Sequence, residues 1–240
     1  APFLRHRSVR DYSPEPIPEG TVRGLVAAAQ SAATSSNLQL WSMISVQEPA
    51  RRKAIAELCA DQKQVHDAAW LFAFVVDYYR IRQAALAAGE QPTGLDYSEY
   101  FAMGAVDAAL AAERMVCAAE SLGIGICYIG ALRNDPEGVR QLLGLPEGTF
   151  GIFGLCLGWP ADECTAAIKP RLRQEDIWFR ETYGEATPAE YDARMAAFYA
   201  SQGMRPLVWS QRAGRRVDDH HLTGREVLKP WLEGQGFNRR

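Results

Sequence analysis

The chain has 240 residues, 48% of them hydrophobic, enough for one substantial core and more consistent with one domain than with two. A formal net charge of -3 leaves no large basic surplus to neutralise phosphates, which argues against a nucleic-acid protein. Its five cysteines (Cys59, Cys117, Cys127, Cys156 and Cys164) form no CxxC and sit partly in apolar runs, as reduced thiols do and a disulfide framework does not.

The opening stretch APFLRHRSVR lacks an apolar signal-peptide core, and the richest apolar run, 68–76, is too short to cross a bilayer. A soluble cytoplasmic protein is expected. His6, His66, His220 and His221 have no cysteine or carboxylate at ligand spacing, so no zinc site is expected.

In chain order, Val22, Leu25, Val26 and Ala29 recur at helical spacing and predict a helix over 19–33, ending at the turn-forming TSSN. A strand follows over 40–46, then a polar helix over 49–60 and a loop over 61–68. The continuous apolar run 70–79 reads as a strand covered on both faces. The longest helical signal spans 97–122 and is apolar nearly all round, suiting a central core helix, a helix at a dimer seam, or both. Residues 123–132 read as a glycine-punctuated strand or turn. A helix over 134–145 has Asp135 at its cap and Pro136 just inside. A buried strand is expected over 149–160, then an irregular stretch, with helices returning over 188–202 and 222–235. The alternation of strands and helices gives an α+β or α/β class.

Several familiar sites are missing. Gly123 and Gly125 are followed by Tyr128 where a dinucleotide fingerprint needs glycine, and no Walker A, GxSxG or HExxH occurs. Four clusters of donors remain. Arg7, Ser8 and Arg10 in RHRSVR offer forked guanidiniums and a hydroxyl suited to a phosphate, or else a solvated basic segment. Lys169 and Arg171 in IKPRLR flank a stiffening proline, or form a surface charge cluster. The short polar side chains of ATSSN (33–37) can reach a polyol chain or a heterocycle edge, or simply end a helix. In YIGAL (128–132) the glycine admits a flat ligand close to backbone amides.

Taken in order along the chain, HRSVRDY, AATSSNLQ, DQKQV, SLGIGICYIGALRN and FGLCLGWP…KPRL resemble the nitroreductase superfamily of FMN-dependent oxidoreductases. The branch they resemble is that of the major oxygen-insensitive nitroreductases and NADPH–flavin oxidoreductases. The resemblance implies an α+β fold with a mostly antiparallel central sheet wrapped by helices, in a single domain over 1–240. It also implies a homodimer in which the extension over 165–240 embraces the neighbour and FMN lies at the subunit interface.

Carried over residue by residue, the resemblance assigns His6, Arg7, Ser8 and Arg10 to the FMN phosphate and ribityl chain, with Lys169 and Arg171 on the same phosphate. Thr34, Ser35 and the loop Gln62, Lys63 and Gln64 would serve the ribityl chain and the pyrimidine edge. Tyr128, Ile129, Gly130 and Ala131 would line the dimethylbenzene side and N5. Ser36 and Arg225 fall near the open face of the ring. Lys63 or Arg10 would favour the reduced ring's charge at N1 and C2=O. NADPH or NADH would be the reductant in a ping-pong cycle, with nitroaromatics, quinones, free flavin or azo compounds as acceptors and no dedicated general acid. A reductase that supplies free flavin to a partner, or a flavin sensor without turnover, are the alternatives.

The sequence departs from the family pattern in places. Arg173 stands where the closing motif usually has proline, Ala131 where a second glycine is usual, and Thr34 where serine is found. In the loop 199–209 Gln202 replaces the first of two arginines that grip the NADPH 2′-phosphate. Arg205 is left, with Arg212 more distant, so a mild NADPH preference with NADH usable is expected.

Overall fold

The computed structural model describes residues 2–185 and 189–240. Two compact units are present: Ala1–Cys164 together with Gly224–Arg240, and Thr165–Thr223. The first unit is built on a four-stranded sheet of β1 (Trp41–Ser45), β2 (Trp70–Asp77), β3 (Gly125–Ile129) and β4 (Thr149–Gly158). The strand order is β1-β2-β4-β3, and every neighbouring pair is antiparallel. This sheet with its surrounding helices gives an α+β fold.

Helix α1 (Glu19–Gln30) ends at Ser31, sooner than its apolar spacing suggested, because Ala32 and Ala33 lead straight into the polar turn. Glu48 caps α2 (Pro49–Leu58), its carboxylate accepting the N–H groups of Ala50 at 2.9 Å and Arg51 at 2.7 Å. Residues 61–68, expected as a loop, contain a one-turn helix, α3 (Lys63–Asp67). The expected strand over 70–79 stops at Asp77. There the Asp77 carboxylate accepts the N–H of Arg80, and the chain turns into α4 (Tyr79–Ala87), a helix that the apolar run concealed.

Helix α5 (Ser98–Ser121) matches its sequence signal closely. Its face of Ala108, Ala111, Ala112, Met115, Val116 and Ala119 packs with Val22, Leu25 and Ala29 of α1 onto Phe72, Phe74, Ile126, Leu155 and Leu157 of the sheet. The other face is not buried: Val106 and Leu110 are exposed and, with Glu113, Tyr128 and Phe153, line a 400 Å³ groove. Within this unit α5 is therefore a one-sided core helix, not one buried all round.

Helix α6 (Pro136–Leu143) has the Asp135 cap read from sequence, with Gly138 N–H donating to the carboxylate at 2.8 Å, and ends at the left-handed Gly144. In the second unit, α7 (Ala189–Ser201) covers most of the helix expected from 188, a residue outside those described. Helix α8 (Trp209–Arg216) falls between the two helices expected from sequence, where no element was read. The helix expected over 222–235 is shorter: a left-handed Gly224 and a 3₁₀ turn over Arg225–Val227 precede α9 (Leu228–Gly234). Leu232 and Phe237 then pack on Tyr78 and Phe150 in the first unit. Among the described residues no helix is long and apolar enough to cross a membrane.

Candidate functional site

Strand β3 lies at one edge of the sheet, and segment 8–13 is laid along it. Ser8 bridges Ile126 in parallel fashion, and the Val9 N–H donates to the Ile126 carbonyl at 2.9 Å. Further on, Tyr12 bridges Pro160 and the Ser13 N–H donates to the Trp159 carbonyl at 2.9 Å. Val9 and Tyr12 are buried against two glycines. A Cβ at Gly125 would stand 2.8 Å from the Val9 side chain, and one at Gly158 would stand 2.6 Å from the Tyr12 ring. Small residues at these points let the segment seat closely on the sheet.

Seating Val9 leaves Arg7 and Arg10 exposed and Ser8 half-buried. Arg5 and Arg7 line a 500 Å³ cavity with Val9, Glu120, Ile124 and Pro160. Among the described residues Arg5, Arg7 and Arg10 have no ion-pair partner. His6 differs from them: its Nδ1 lies 2.7 Å from Oε1 of Glu120 on α5. That contact anchors the start of the motif to the helix and takes up the one carboxylate lining the cavity. Four donors of the motif are thus gathered on one edge, and Glu120 is a member of the site that sequence reading missed.

The glutamine loop is joined to the same segment. Lys63 Nζ lies 3.1 Å from Asp11 Oδ1 and 3.4 Å from Asp67 Oδ2. Its pKa is raised, chiefly by the hydrogen bond to Asp11 and next by the one to Asp67. Gln64 is buried, and its amide donates at 2.8 Å to Gln62 Oε1, while Gln62 donates at 2.9 Å to the Cys59 carbonyl. Beneath the loop, the buried Arg52 donates to the carbonyls of Val46 at 2.8 Å, Val65 at 3.2 Å and Ala68 at 2.9 Å. Burial lowers its pKa from the usual arginine range. A cation bound only by carbonyls and an amide holds the loop in place without offering charge to a ligand. The charge in RRKAIAEL gave no hint of this, since arginines on a polar helix usually face water.

The 34–40 stretch is less regular than a helix exit. Ser36, Asn37 and Gln39 all have positive φ, at 49°, 56° and 52°. The Ser35 N–H and the Leu40 N–H donate to the two oxygens of Asp107 on α5, at 2.9 and 3.0 Å. Thr34, Asn37 and Gln39 line a 440 Å³ cavity together with Trp41 and Arg80. Asp107 was legible only as a lone carboxylate within the apolar AVDAALAA, a pattern that demands partners when buried.

At 128–131, Ile129 and Ala131 are buried and Tyr128 is partly exposed. The Tyr128 hydroxyl donates to Glu113 Oε2 at 3.3 Å, and burial, with Glu113 beside it, raises its pKa. Arg225 donates through Nη2 to the Gly130 carbonyl at 3.1 Å and through Nε to Asn134 Oδ1 at 3.0 Å. Its neighbour Gly224 has φ +86°, and a Cβ there would meet the Asn134 carbonyl at 2.6 Å, so glycine is required. Arg225 and the Gly130 turn, far apart in sequence, are thereby brought together.

In the second unit, Lys169 and Arg171 are exposed, and the Tyr191 hydroxyl pins the intervening Pro170 carbonyl at 2.9 Å. Arg173 pairs with Asp176 at 3.3 Å and with Glu190 at 2.8 Å. The arginine that replaces the usual proline thus ties the motif to the 3₁₀ turn over Gln174–Asp176 and to α7. Arg205 is exposed, and Arg212 donates to the Tyr199 hydroxyl at 3.1 Å.

Residues 4–159 match the model of the Nitroreductase family, and residues 169–240 that of its C-terminal domain. The chain belongs to the nitroreductase family. It is 38% identical over 217 residues to an "NADPH-dependent oxidoreductase" of Staphylococcus epidermidis, covering 87% of this chain and 86% of that protein. Among solved structures it resembles the NfrA1 nitroreductase from B. subtilis, with 33% identity and a TM-score of 0.92 over 100% of this chain and 98% of that one. It also resembles the NADPH:FMN oxidoreductase from Vibrio harveyi in complex with NAD+, with 31% identity and a TM-score of 0.87 over 100% and 98% of the two chains.

Proposed function

We propose that this chain is an NADPH-dependent oxidoreductase that works through bound FMN and passes reducing equivalents to nitroaromatics, quinones or related acceptors. The observation that carries the reading is the edge-docked segment: Arg5, Arg7 and Arg10 stand without carboxylate partners among the described residues. A phosphomonoester is close to dianionic at neutral pH, and charge-assisted bonds from such guanidiniums contribute about 1.5–3 kcal/mol each. The donor set fits that group. At Gly130 only the Arg133 guanidinium, at 3.5 Å, comes near a missing Cβ, which leaves the turn open to a flat ring.

On this reading His6, Arg7, Ser8 and Arg10 hold the phosphate and the ribityl chain, with Lys169 and Arg171 as further cationic ligands. Thr34, Ser35, Gln62, Lys63 and Gln64 serve the ribityl chain and the pyrimidine edge, and Tyr128, Ile129, Gly130 and Ala131 line the ring. Ser36 and Arg225 face the incoming substrates, and Arg205 the nicotinamide coenzyme. Lys63 is already held by two carboxylates, so Arg10 is the better source of positive charge toward N1 and C2=O. Bound there, FMN would supply the hydride-transfer chemistry between the reduced coenzyme and the acceptor. The protein binds, orients and admits two substrates in succession to one open face, and protons come from water.

The protein works as a homodimer on the same reading. The exposed Val106 and Leu110 of α5, with Tyr128 and Phe153 beside them, form the kind of apolar groove that a second subunit covers. Light scattering is expected to return a two-chain particle, and a 26.6 kDa particle with FMN bound would remove the dimer from the proposal. Oxidation of NADPH with nitrofurazone, menadione and free FMN as acceptors tests the activity. Turnover with the first two is expected. Turnover with free FMN alone would favour a flavin-supplying reductase, and none at all a sensor.

A further inference from the structure

The 34–40 loop carries Thr34 and Ser35 of the proposed flavin site and Ser36 of the proposed substrate face, and its conformation is one that its sequence disfavours. Three non-glycine residues, Ser36, Asn37 and Gln39, occupy the left-handed region. Residues persist there only where the surroundings over-determine them.

What over-determines them is a carboxylate. Asp107 is 0% exposed and lies in the middle of an alanine-rich helix. Its Oδ1 accepts the Ser35 N–H at 2.9 Å and its Oδ2 the Leu40 N–H at 3.0 Å, so both ends of the loop hang on one side chain. Among the described residues no cation pairs with it. Gly104, nearly one turn earlier, allows α5 to come this close: a Cβ there would stand 2.6 Å from Val76 Cγ1 and 3.2 Å from the Leu40 carbonyl. Carbonyls of the same stretch are satisfied separately, Arg80 donating to Gln39 at 2.5 Å and to Trp41 at 2.8 Å. A carboxylate offers two acceptors with no donor, which two converging N–H groups require. An asparagine of the same shape would turn its own amide N–H₂ toward one of them.

We propose that Asp107 is a positioning residue for flavin binding. By taking the N–H groups at both ends of the 34–40 loop, it holds Thr34 and Ser35 in the backbone conformation that presents them to the flavin, and Ser36 in the one that faces the substrates. The proposal rests on the FMN reading of the site, and a wild-type protein that takes up no FMN would overturn that reading before any variant is compared.

The test compares wild type with Asp107→Asn by hydrogen exchange at the Ser35 and Leu40 amides, without flavin, and then by FMN titration. Exchange at these two amides is expected to be at least tenfold faster in the variant, with the amides of β2 and β4 unchanged. FMN should bind at least tenfold more weakly, with an altered visible band for the flavin that is bound. Wild-type exchange rates at the two amides, or a folded variant with wild-type FMN affinity and spectrum, would overturn the proposal. Should Asp107→Asn not fold, Gly104→Ala takes its place, since it keeps the carboxylate but presses a Cβ on Val76 of β2 and on the Leu40 carbonyl, shifting α5 relative to the loop end that Asp107 holds. Faster exchange at the same two amides is then expected, and unchanged rates would overturn the proposal.

Discussion

Replacing Gly125 with alanine should loosen the basic segment without touching any residue proposed to contact flavin. The new Cβ would lie 2.8 Å from Val9 Cβ, 2.8 Å from Cγ2 and 2.9 Å from Cγ1. Carbon atoms rest at about 3.5–4.0 Å, so Val9 must withdraw by roughly 0.7–1.2 Å. Val9 is 2% exposed, and its N–H bonds the Ile126 carbonyl at 2.9 Å, so the withdrawal strains a packed contact and a ladder-like hydrogen bond together. Overpacking of this kind costs about 1–3 kcal/mol. If that cost falls on the seating of segment 7–10, it appears as FMN affinity lower by about 5- to 150-fold. Titration of apoprotein with FMN, followed by flavin fluorescence, measures the affinity, and a thermal melt of the apoprotein measures the structural part. Val9→Ala in the same background removes two of the three close contacts and should recover part of the loss. An unchanged FMN affinity would refute the link between the Val9–Gly125 contact and the phosphate donors.

Arg171→Ala should weaken FMN binding about tenfold or more, since a guanidinium–phosphate contact contributes about 1.5–3 kcal/mol; the same titration measures it, and wild-type affinity would take Arg171 out of the site. NADPH should be mildly preferred to NADH in kcat/KM, because Gln202 leaves Arg205 as the nearest exposed guanidinium in its loop and Arg212 is engaged by Tyr199. A preference above about a thousandfold would contradict this, such a ratio needing about 4 kcal/mol of discrimination. Glu137 has its pKa lowered to about 2 by hydrogen bonds from Arg140 first, then Gln141 and Trp231. Its folded-state value lies below the ordinary one, so its stabilising contribution is complete above the ordinary carboxylate range and is lost as pH falls toward about 2. In thermal melts from pH 6 to pH 2, Glu137→Gln should therefore differ most from wild type at pH 6 and converge with it at the acid end. A gap that widens on acidification would contradict this.

Much of the fold was legible because its signals are local. The 24 residues of α5 follow one another with a helical period, Asp135 and Pro136 announce α6 together, and the unbroken apolar runs of β2 and β4 match strands with covered faces. Local signals failed where a polar contact decides where an element ends. Nothing in WLFAFVVDYY reveals that Asp77 takes the N–H of Arg80 and turns the chain into α4. In the eight residues of α8 only Trp209 and Ala213 are half-buried, two apolar positions among arginines and too short a signal to mark a helix.

The site divides along the same line. Which donors the chain possesses was determined by sequence alone: RHRSVR, TSSN, YIGAL and KPR name guanidiniums, hydroxyls and backbone amides by their chemical types, while DQKQV entered through the family resemblance. How they are held was decided only in three dimensions, by partners far away along the chain. Asp107 reaches across 72 positions to Ser35, Glu120 across 114 to His6, and Arg225 across 95 to the Gly130 carbonyl. Arg52 spends its charge on carbonyls beneath the glutamine loop, and Gly125 matters for the side chain it lacks. Such contacts leave no periodicity behind. They depend on distances that arise only when β3, α5 and the edge segment have been packed together, and on burial, which turns an ordinary carboxylate or guanidinium into a fixed support.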